Sequence, residues 1–156
     1  MSSTQGQSPS SQIDHLGIVA SDLDAAVEHY EALGIGPFGP PKDVIPAEFD
    51  ERVEMGEFVM RTNFVDLGSV KMEMIEPVSG ESAELGGWQE FLNSNGDGVH
   101  HIGFEVVDFA ETKDTLLEHG AGVYFEMDFP SGGGAVYLDT AATGGVILEI
   151  IEWPDE

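Results

Sequence analysis

The sequence predicts an α+β protein built from two tandem modules, in which a strand and a helix are followed by further strands. Three observations predict this class. Strand-like and helix-like segments alternate over residues 13–78, the same order returns over residues 98–154, and spaced His, Asp, Glu and Gly residues recur in both halves. A chain of 156 residues with 41% hydrophobic residues is also long enough to form a packed core.

The first module, residues 13–78, follows a segment rich in Ser and Gln, residues 1–12, which we expect to be a disordered tail. Ser21 or Asp22 is the expected N-cap of the first helix, and Gly34 is expected to end it. The expected elements are a strand over 13–20, a helix over 21–33, a proline-rich loop over 36–49, and strands over 57–67 and 70–77.

The second module, residues 98–154, follows a polar linker over residues 79–97 that contains a short predicted helix around WQEFLNSNG. Its glycines mark turns between short runs of apolar residues. The expected elements are a strand over 99–106, a helix over 108–119, and strands over 122–127, 135–140 and 145–151.

Residues at matching spacings indicate that the two modules arose by duplication. In each half a histidine is followed seven residues later by an aspartate and nineteen residues later by a glycine: His15, Asp22 and Gly34, then His101, Asp108 and Gly120. Near the end of each half, steps of five and three residues separate Gly68, Glu73 and Glu76, and again Gly144, Glu149 and Glu152. Agreement at both ends of a module favours a repeat over coincidence.

Glu149 is a candidate functional residue because its strand is apolar on both faces. Strict alternation in VILEII places Glu149 between Ile147 and Ile151. Burying an ionised carboxylate without a partner costs several kcal/mol, so Glu149 needs a cation, a metal ion or a proton. Glu73 holds the equivalent place in VKMEMIE beside Lys71 and could instead be a solvated or lysine-paired residue.

His15 and His101 are candidate metal ligands because each is followed two residues later by a glycine, which leaves room beside the imidazole for an ion. Together with Glu73 and Glu149 they supply two imidazoles and two carboxylates, a plausible set for a divalent metal. Alternation puts His100 on the other strand face with Ile102 and Phe104, where we expect a structural role.

The composition excludes several classes of partner. Thirty acidic residues against five basic ones give a formal charge of −25, which repels nucleic acid and anionic lipid. We interpret the acidic residues as a solvated surface. Adaptation to high salt is one explanation of this surface, and an acidic groove for a cationic partner is the alternative. The chain has no cysteine, no apolar run of about 20 residues and no N-terminal signal pattern, so we expect a cytoplasmic protein without membrane contact.

These motifs resemble the vicinal oxygen chelate superfamily, which includes glyoxalase I, methylmalonyl-CoA epimerase, extradiol dioxygenases and bleomycin-resistance proteins. The segments that carry the resemblance are IDHLGIVASDLDAAVEHYEALGI, VKMEMIEP, GVHHIGFEVVDF and GGVILEIIEWP. The resemblance implies two βαβββ modules whose curled mixed sheets enclose a metal-binding cavity. It implies one divalent ion (Zn, Co, Ni, Mn or Fe) held by His15, Glu73, His101 and Glu149, and it selects His101 rather than His100.

The implied function is that of a metal-dependent isomerase, epimerase or lyase of the glyoxalase or methylmalonyl-CoA epimerase type. Such an enzyme moves a proton next to a carbonyl through a metal-bound enolate, on a small substrate with adjacent oxygens. Glu149 is the first candidate for the catalytic base, and Glu73 is the second. An Fe(II) extradiol-type dioxygenase and a non-catalytic, resistance-type binding protein are the alternatives. We also expect a homodimer.

Two departures from the epimerase pattern fall on the first module. The epimerases usually have Gln where this chain has Glu73, and the position of their second catalytic carboxylate falls near Thr62. Glyoxalase I uses an arginine on the carboxylate of glutathione, and no such arginine lies beside His15 in the sequence. Few cations are available for an anionic carrier: Lys42, Arg52, Arg61, Lys71 and Lys113.

Overall fold

The computed structural model describes residues 13–44, 60–78, 87–129, 132–139 and 144–153. The predicted tail over residues 1–12 lies outside them. The helices are α1 (Leu23–Ala32), α2 (Trp88–Asn95) and α3 (Phe109–Glu118). The strands are β1 (His15–Val19), β2 (Lys42–Val44), β3 (Met60–Asp66), β4 (Lys71–Pro77), β5 (Gly98–Glu105), β6 (Val123–Asp128), β7 (Gly134–Leu138) and β8 (Ile147–Glu152).

The eight described strands form one open, curled, mixed sheet with the order β2-β3-β4-β1-β5-β8-β7-β6. This order is symmetric about the central pair, in which β1 and β5 run antiparallel. On either side of that pair, β1 lies parallel to β4 and β5 lies parallel to β8. The predicted α+β class is confirmed, and the four strands that carry the candidate ligands are neighbours at the centre of the sheet.

Strand β2 lies within the segment that we predicted as a proline-rich loop. It is three residues long and pairs antiparallel with β3, where Lys42 is opposite Thr62 and Val44 is opposite Met60. It is also the first strand of the sheet order, and proline is tolerated next to such an edge strand. The loop prediction was therefore wrong for Lys42–Val44. The flanking prolines favoured a loop, whereas pairing with β3 stabilises a short strand.

The repeated acidic residues outside the candidate ligands cap the two long helices. Asp22 accepts a hydrogen bond from the Ala25 amide at 3.0 Å, and Asp108 accepts one from the Glu111 amide at 3.0 Å. Each helix start has a second acceptor on the strand that carries the candidate ligand glutamate. Glu76 accepts from the Leu23 amide at 2.7 Å, and Glu152 accepts from the Phe109 amide at 2.8 Å. Two of the six repeated positions in each module thus serve to cap the start of a helix.

Within the described part of the chain, three apolar clusters hold the helices on the sheet. The residues of the α1 cluster include Leu23, Val65, Met72 and Met74, and those of the α3 cluster include Phe109, Val136, Leu138 and Ile150. The third cluster contains Trp88 of α2 with Val19, Met60, Ile75 and Tyr137. Val19 and Ile75 follow Gly17 and Glu73 by two residues on their strands, so the α2 cluster packs on the sheet face that carries the candidate ligands. Within the described ranges, no helix has the length and apolar character that a bilayer crossing requires.

Candidate metal centre

The structure brings the four predicted ligands together on one face of four neighbouring strands. His15 lies on β1, Glu73 on β4, His101 on β5 and Glu149 on β8. The strand register aligns them, since Gly17 is opposite both Glu73 and His101, and Gly103 is opposite both His15 and Glu149. All four side chains are buried.

The donor atoms of this cluster face one another at short distances. His15 Nε2 lies 3.3 Å from His101 Nε2, and Glu149 Oε1 lies 2.7 Å from the first nitrogen and 3.2 Å from the second. Glu73 Oε1 is slightly farther away, at 3.7 Å from His15 Nε2 and 3.6 Å from His101 Nε2. Ligands bound at about 2.1 Å to one ion lie about 3.0 to 3.4 Å apart. One donor atom each of His15, His101 and Glu149 lies within 4.8 Å of the other two, and this group of three fits a single divalent cation. Glu73 Oε1 lies at the edge of this group, near both imidazoles.

Two glycines make the approach of the histidines possible. A Cβ added to Gly17 would lie 2.0 Å from the His101 ring, and one added to Gly103 would lie 2.1 Å from the His15 ring. Each glycine therefore makes room for the imidazole of the other module. This refines the prediction from sequence, in which the glycine was expected to leave space for an ion beside the histidine of its own strand.

Replacing Gly103 by Ala is expected to displace the His15 ring and to raise the dissociation constant for a divalent ion by at least about 10-fold, because steric displacement removes one ligand. Titration of the metal-free variant with Co²⁺ measures the effect. Gly98→Ala is the matched control on the same strand, since its Cβ would meet Phe91 at an ordinary 3.8 Å. Equal affinity in Gly103→Ala and wild type would contradict the assigned position of His15.

His100 takes part in the site, contrary to the strand alternation. The pairing of β1 with β5 shifts register between Gly17 and Ile18, so that Gly17 is opposite His101 while Ile18 is opposite Val99. His100 is the extra residue, and a bulge of this kind breaks the alternation of side chains. Its Nδ1 lies 2.9 Å from His101 Nδ1. The expectation that His100 packs with Ile102 and Phe104 was wrong for this reason.

His15 has a matching partner in the residue that precedes it. The His15 Nδ1–H donates to Asp14 Oδ2 at 2.7 Å, and Trp153 Nε1 donates to the same oxygen at 3.3 Å. Sequence reasoning missed both Asp14 and His100 as parts of the site. One signal was available, since Asp14 and His100 stand at the same position of the repeat, immediately before the candidate ligand histidine.

Glu73 is held by the residue that departs from the epimerase pattern. Thr62 Oγ1 donates to Glu73 Oε2 at 3.1 Å, and both side chains are buried. The alternative interpretation of Glu73 as a solvated or lysine-paired residue is therefore wrong. Lys71 is exposed, and its Nζ lies 5.7 Å from the centre of the Trp153 ring.

The metal-free cluster retains protons, because its carboxylates stabilise imidazolium. Burial opposes the charge on His15, but the hydrogen bonds to Asp14 and Glu149 outweigh it and raise the pKa of His15 to about 10. Burial likewise opposes the charge on His101, yet the Glu149 charge raises the pKa of that ring as well. For Glu149, burial alone would raise the pKa, but the charges of His101 and His15 and their hydrogen bonds together lower it to about 2. A cation that binds here must replace protons.

The metal-free protein is expected to lose stability as the pH rises from 6.5 to about 10. The pKa of His15 lies at about 10 in the folded state against 6.5 for an ordinary histidine, so its contribution is complete below pH 6.5 and disappears through this window. The Glu149 contribution is complete above pH 4.5 and disappears as the pH falls towards 2. Urea unfolding in a chelator at pH 6 and pH 10 measures the first effect. A higher free energy of unfolding at pH 10 would contradict it.

Three further titratable residues lie away from the cluster. Glu105, the last residue of β5, is exposed. His29 and His119 are exposed as well. The candidate site therefore consists of the four predicted ligands, with Asp14, His100 and Thr62 in contact with them.

The chain belongs to the glyoxalase/bleomycin resistance protein/dioxygenase superfamily, whose family model matches residues 14–137. Among its relatives, the ethylmalonyl-CoA/methylmalonyl-CoA epimerase of Cereibacter sphaeroides is 33% identical over 113 residues, which cover 72% of this chain and 73% of that protein. The mitochondrial methylmalonyl-CoA epimerase of Bos taurus is 28% identical over 147 residues, covering 89% and 73% of the two chains.

Solved structures share the fold over nearly the whole chain. The methylmalonyl-CoA epimerase of Mycobacterium tuberculosis matches with a TM-score of 0.73 and 20% identity, covering 100% of this chain and 94% of that one. The Streptomyces coelicolor enzyme, in complex with 2-nitronate-propionyl-CoA, matches with a TM-score of 0.72 and 24% identity, covering 94% and 98%. These similarities confirm the predicted superfamily and its fold.

Proposed function

We propose that this chain is a divalent-metal-dependent epimerase that moves a proton at the carbon next to a carbonyl group. The observation that carries this proposal is the buried cluster in which two imidazole nitrogens 3.3 Å apart face two carboxylates. Its position at the centre of a fold shared with methylmalonyl-CoA epimerases supports the choice of reaction.

The ion would be held by His15, His101 and Glu149, with Glu73 as the fourth ligand. This set of nitrogen and oxygen donors suits Zn, Co, Ni, Mn or Fe. When bound, such an ion supplies positive charge that stabilises the negative charge developing on the carbonyl oxygen of the substrate. The donor set contains no sulfur, since the chain has no cysteine.

The positions of the two carboxylates suit them for proton transfer on the two sides of one carbon. In the sheet order, β4 with Glu73 and β8 with Glu149 flank the central pair β1 and β5. Inversion at a carbon is direct when one group removes a proton from one face and a second group delivers a proton to the opposite face. Glu149, as the carboxylate, would remove the proton after turning from the histidines towards the substrate. Glu73, in its protonated form, would donate its own proton to the opposite face. The roles exchange in the reverse direction.

Buried aromatic rings protect the cluster from water on one side. The Tyr137 ring lies 4.9 Å from the His101 ring and packs against Trp88 of α2 at 6.4 Å. Burial, together with the charges of Glu149 and Glu73, raises the pKa of Tyr137 well above its usual value, so that the phenol stays neutral. A lining that excludes water lowers the local dielectric constant and so strengthens the electrostatic interactions of the charges in the site.

The substrate would be a small carbonyl compound with adjacent oxygens, and methylmalonyl-CoA is the first candidate because the relatives are named as its epimerases. The charge of −25 disfavours a polyanionic carrier at low ionic strength. Among the described cations, Arg61 lies beside Asp24, and Lys113 lies beside Glu126. A hemithioacetal, the substrate class implied by the glyoxalase resemblance, is the second candidate.

Exchange of the substrate α-proton with solvent tests this proposal. Metal-loaded and metal-free protein would be incubated in D₂O with each epimer of methylmalonyl-CoA, and in parallel with a hemithioacetal. NMR follows deuterium incorporation and the appearance of product. The expected result is exchange by the metal-loaded protein alone. Absence of exchange with both substrates, in protein shown to contain the ion, would contradict the proposed function.

A further inference from the structure

We infer that Asp14 and His100 are an unlike pair of positioning residues that fix the imidazole tautomers of the candidate metal ligands. Each occupies the same place in its module, directly before the histidine that it contacts. The Nδ1 atoms of His15 and His101 face these partners, while both Nε2 atoms face the cluster. The inference rests on the proposed metal site and deepens it.

These contacts require a special backbone, because adjacent residues of a regular strand point to opposite faces. For His100 the bulge in β5 provides it. Asp14 lies just before β1, and its main chain is held from both sides. Its amide donates to the Gly103 carbonyl at 2.8 Å, and its carbonyl accepts from the Lys71 amide at 3.0 Å. Neighbouring strands from both halves of the chain therefore fix the position of Asp14.

The Asp14 carboxylate is also fixed by the end of the second module. Trp153, which follows β8, donates its indole N–H to Asp14 Oδ2. The Trp153 ring lies 5.8 Å from the His15 ring and 6.0 Å from the Phe64 ring. Strand β8 therefore contributes to both sides of the His15 ring. Glu149 faces Nε2, and Trp153, which follows the strand, holds the Asp14 carboxylate that contacts Nδ1.

The two supports differ in chemistry, and this difference predicts an asymmetric centre. An ionised carboxylate only accepts, so Asp14 requires the proton of His15 on Nδ1 and leaves the Nε2 lone pair for a cation. His100 accepts the His101 Nδ1–H when its own proton is on Nε2, so it fixes His101 as a neutral imidazole without adding charge. His15 is therefore the better electron donor, and loss of Asp14 is expected to weaken metal binding more than loss of His100.

Metal affinity of the metal-free protein tests the inference, with Co²⁺ as the probe and its visible absorption as the signature of ligand geometry. Asp14→Leu removes the acceptor at similar size, and it is expected to raise the dissociation constant by about 10- to 100-fold. Asp14→Asn keeps an acceptor without charge and should restore part of the affinity. His100→Phe preserves ring packing against Phe91 and Tyr137 and should raise the constant by about 10-fold.

Trp153→Phe is the mildest variant, since it keeps an aromatic ring while it removes the indole N–H and part of the ring surface. Unfolding of each metal-free variant separates positioning from structural support, because a purely structural role lowers stability without changing the affinity of the folded fraction. If Asp14→Leu and His100→Phe had the dissociation constants and Co²⁺ spectra of the wild-type protein, the inference would be overturned and the proposed metal site would stand. Failure of the wild-type protein to bind Co²⁺ would overturn the proposed metal site and the inference with it.

Discussion

Replacing Glu149 by Gln is expected to lower turnover by about 10²- to 10⁴-fold, the usual contribution of a positioned acid or base. Glutamine has nearly the same shape and an oxygen that can still face His15 and His101, but it cannot take up a proton. Three ligands and an amide oxygen remain, so the variant should bind a divalent ion with reduced affinity. The rate of epimerisation at saturating metal measures the effect.

Glu105→Gln provides the matched control for this experiment. It makes the same chemical change on the neighbouring strand β5, where the side chain is exposed and away from the cluster. Its turnover should equal that of the wild-type protein. Full activity in Glu149→Gln, measured beside this control, would show that another group is the base.

The substitution Glu73→Gln is expected to separate proton exchange from inversion. If Glu149 removes the proton of one epimer and Glu73 serves the other face, this variant keeps solvent exchange for the first epimer. Exchange of the second epimer and interconversion of the two should fall by about 10²-fold or more. NMR in D₂O follows both quantities in one sample. Thr62 can still donate to the amide oxygen, so the side chain should remain in place.

The two glutamate variants together distinguish a pair of bases from a single base. The selectivity for one epimer should reverse between Glu149→Gln and Glu73→Gln. Equal loss of exchange for both epimers in Glu149→Gln, with unchanged inversion in Glu73→Gln, would contradict the two-sided arrangement. Glu73 would then be a ligand without a direct part in proton transfer.

The repeat explains why the sequence predicted the four central residues. A strand histidine alone is a weak signal, but His15 and His101 recur with Glu73 and Glu149 at matching steps, and the resemblance to a superfamily assigned them a shared ion. The burial of Glu149 also followed from local alternation, because VILEII is apolar on both faces. The structure brings these four side chains together as expected.

The supporting residues escaped sequence reasoning for two physical reasons. The place of His100 depends on a bulge that no local pattern indicates, because it arises from the pairing of β5 with β1. The contact of Asp14 with Trp153 joins residues at opposite ends of the described chain, and only the pairing of the strands between them brings them together. Strand β2 was missed as well, because three residues between prolines are too few to show the alternation of side chains that identifies a strand.

The metal content of the purified protein tests the central claim most directly. Protein stripped with a chelator, loaded with Co²⁺ or Zn²⁺ and dialysed at high ionic strength would be measured by elemental analysis, because salt screens loose cation binding to the acidic surface. The wild-type protein is expected to retain one ion per chain, and a folded His15→Gln/His101→Gln double variant is expected to retain none. Equal retention by the two proteins, or none by the wild type, would contradict a metal centre at these four residues.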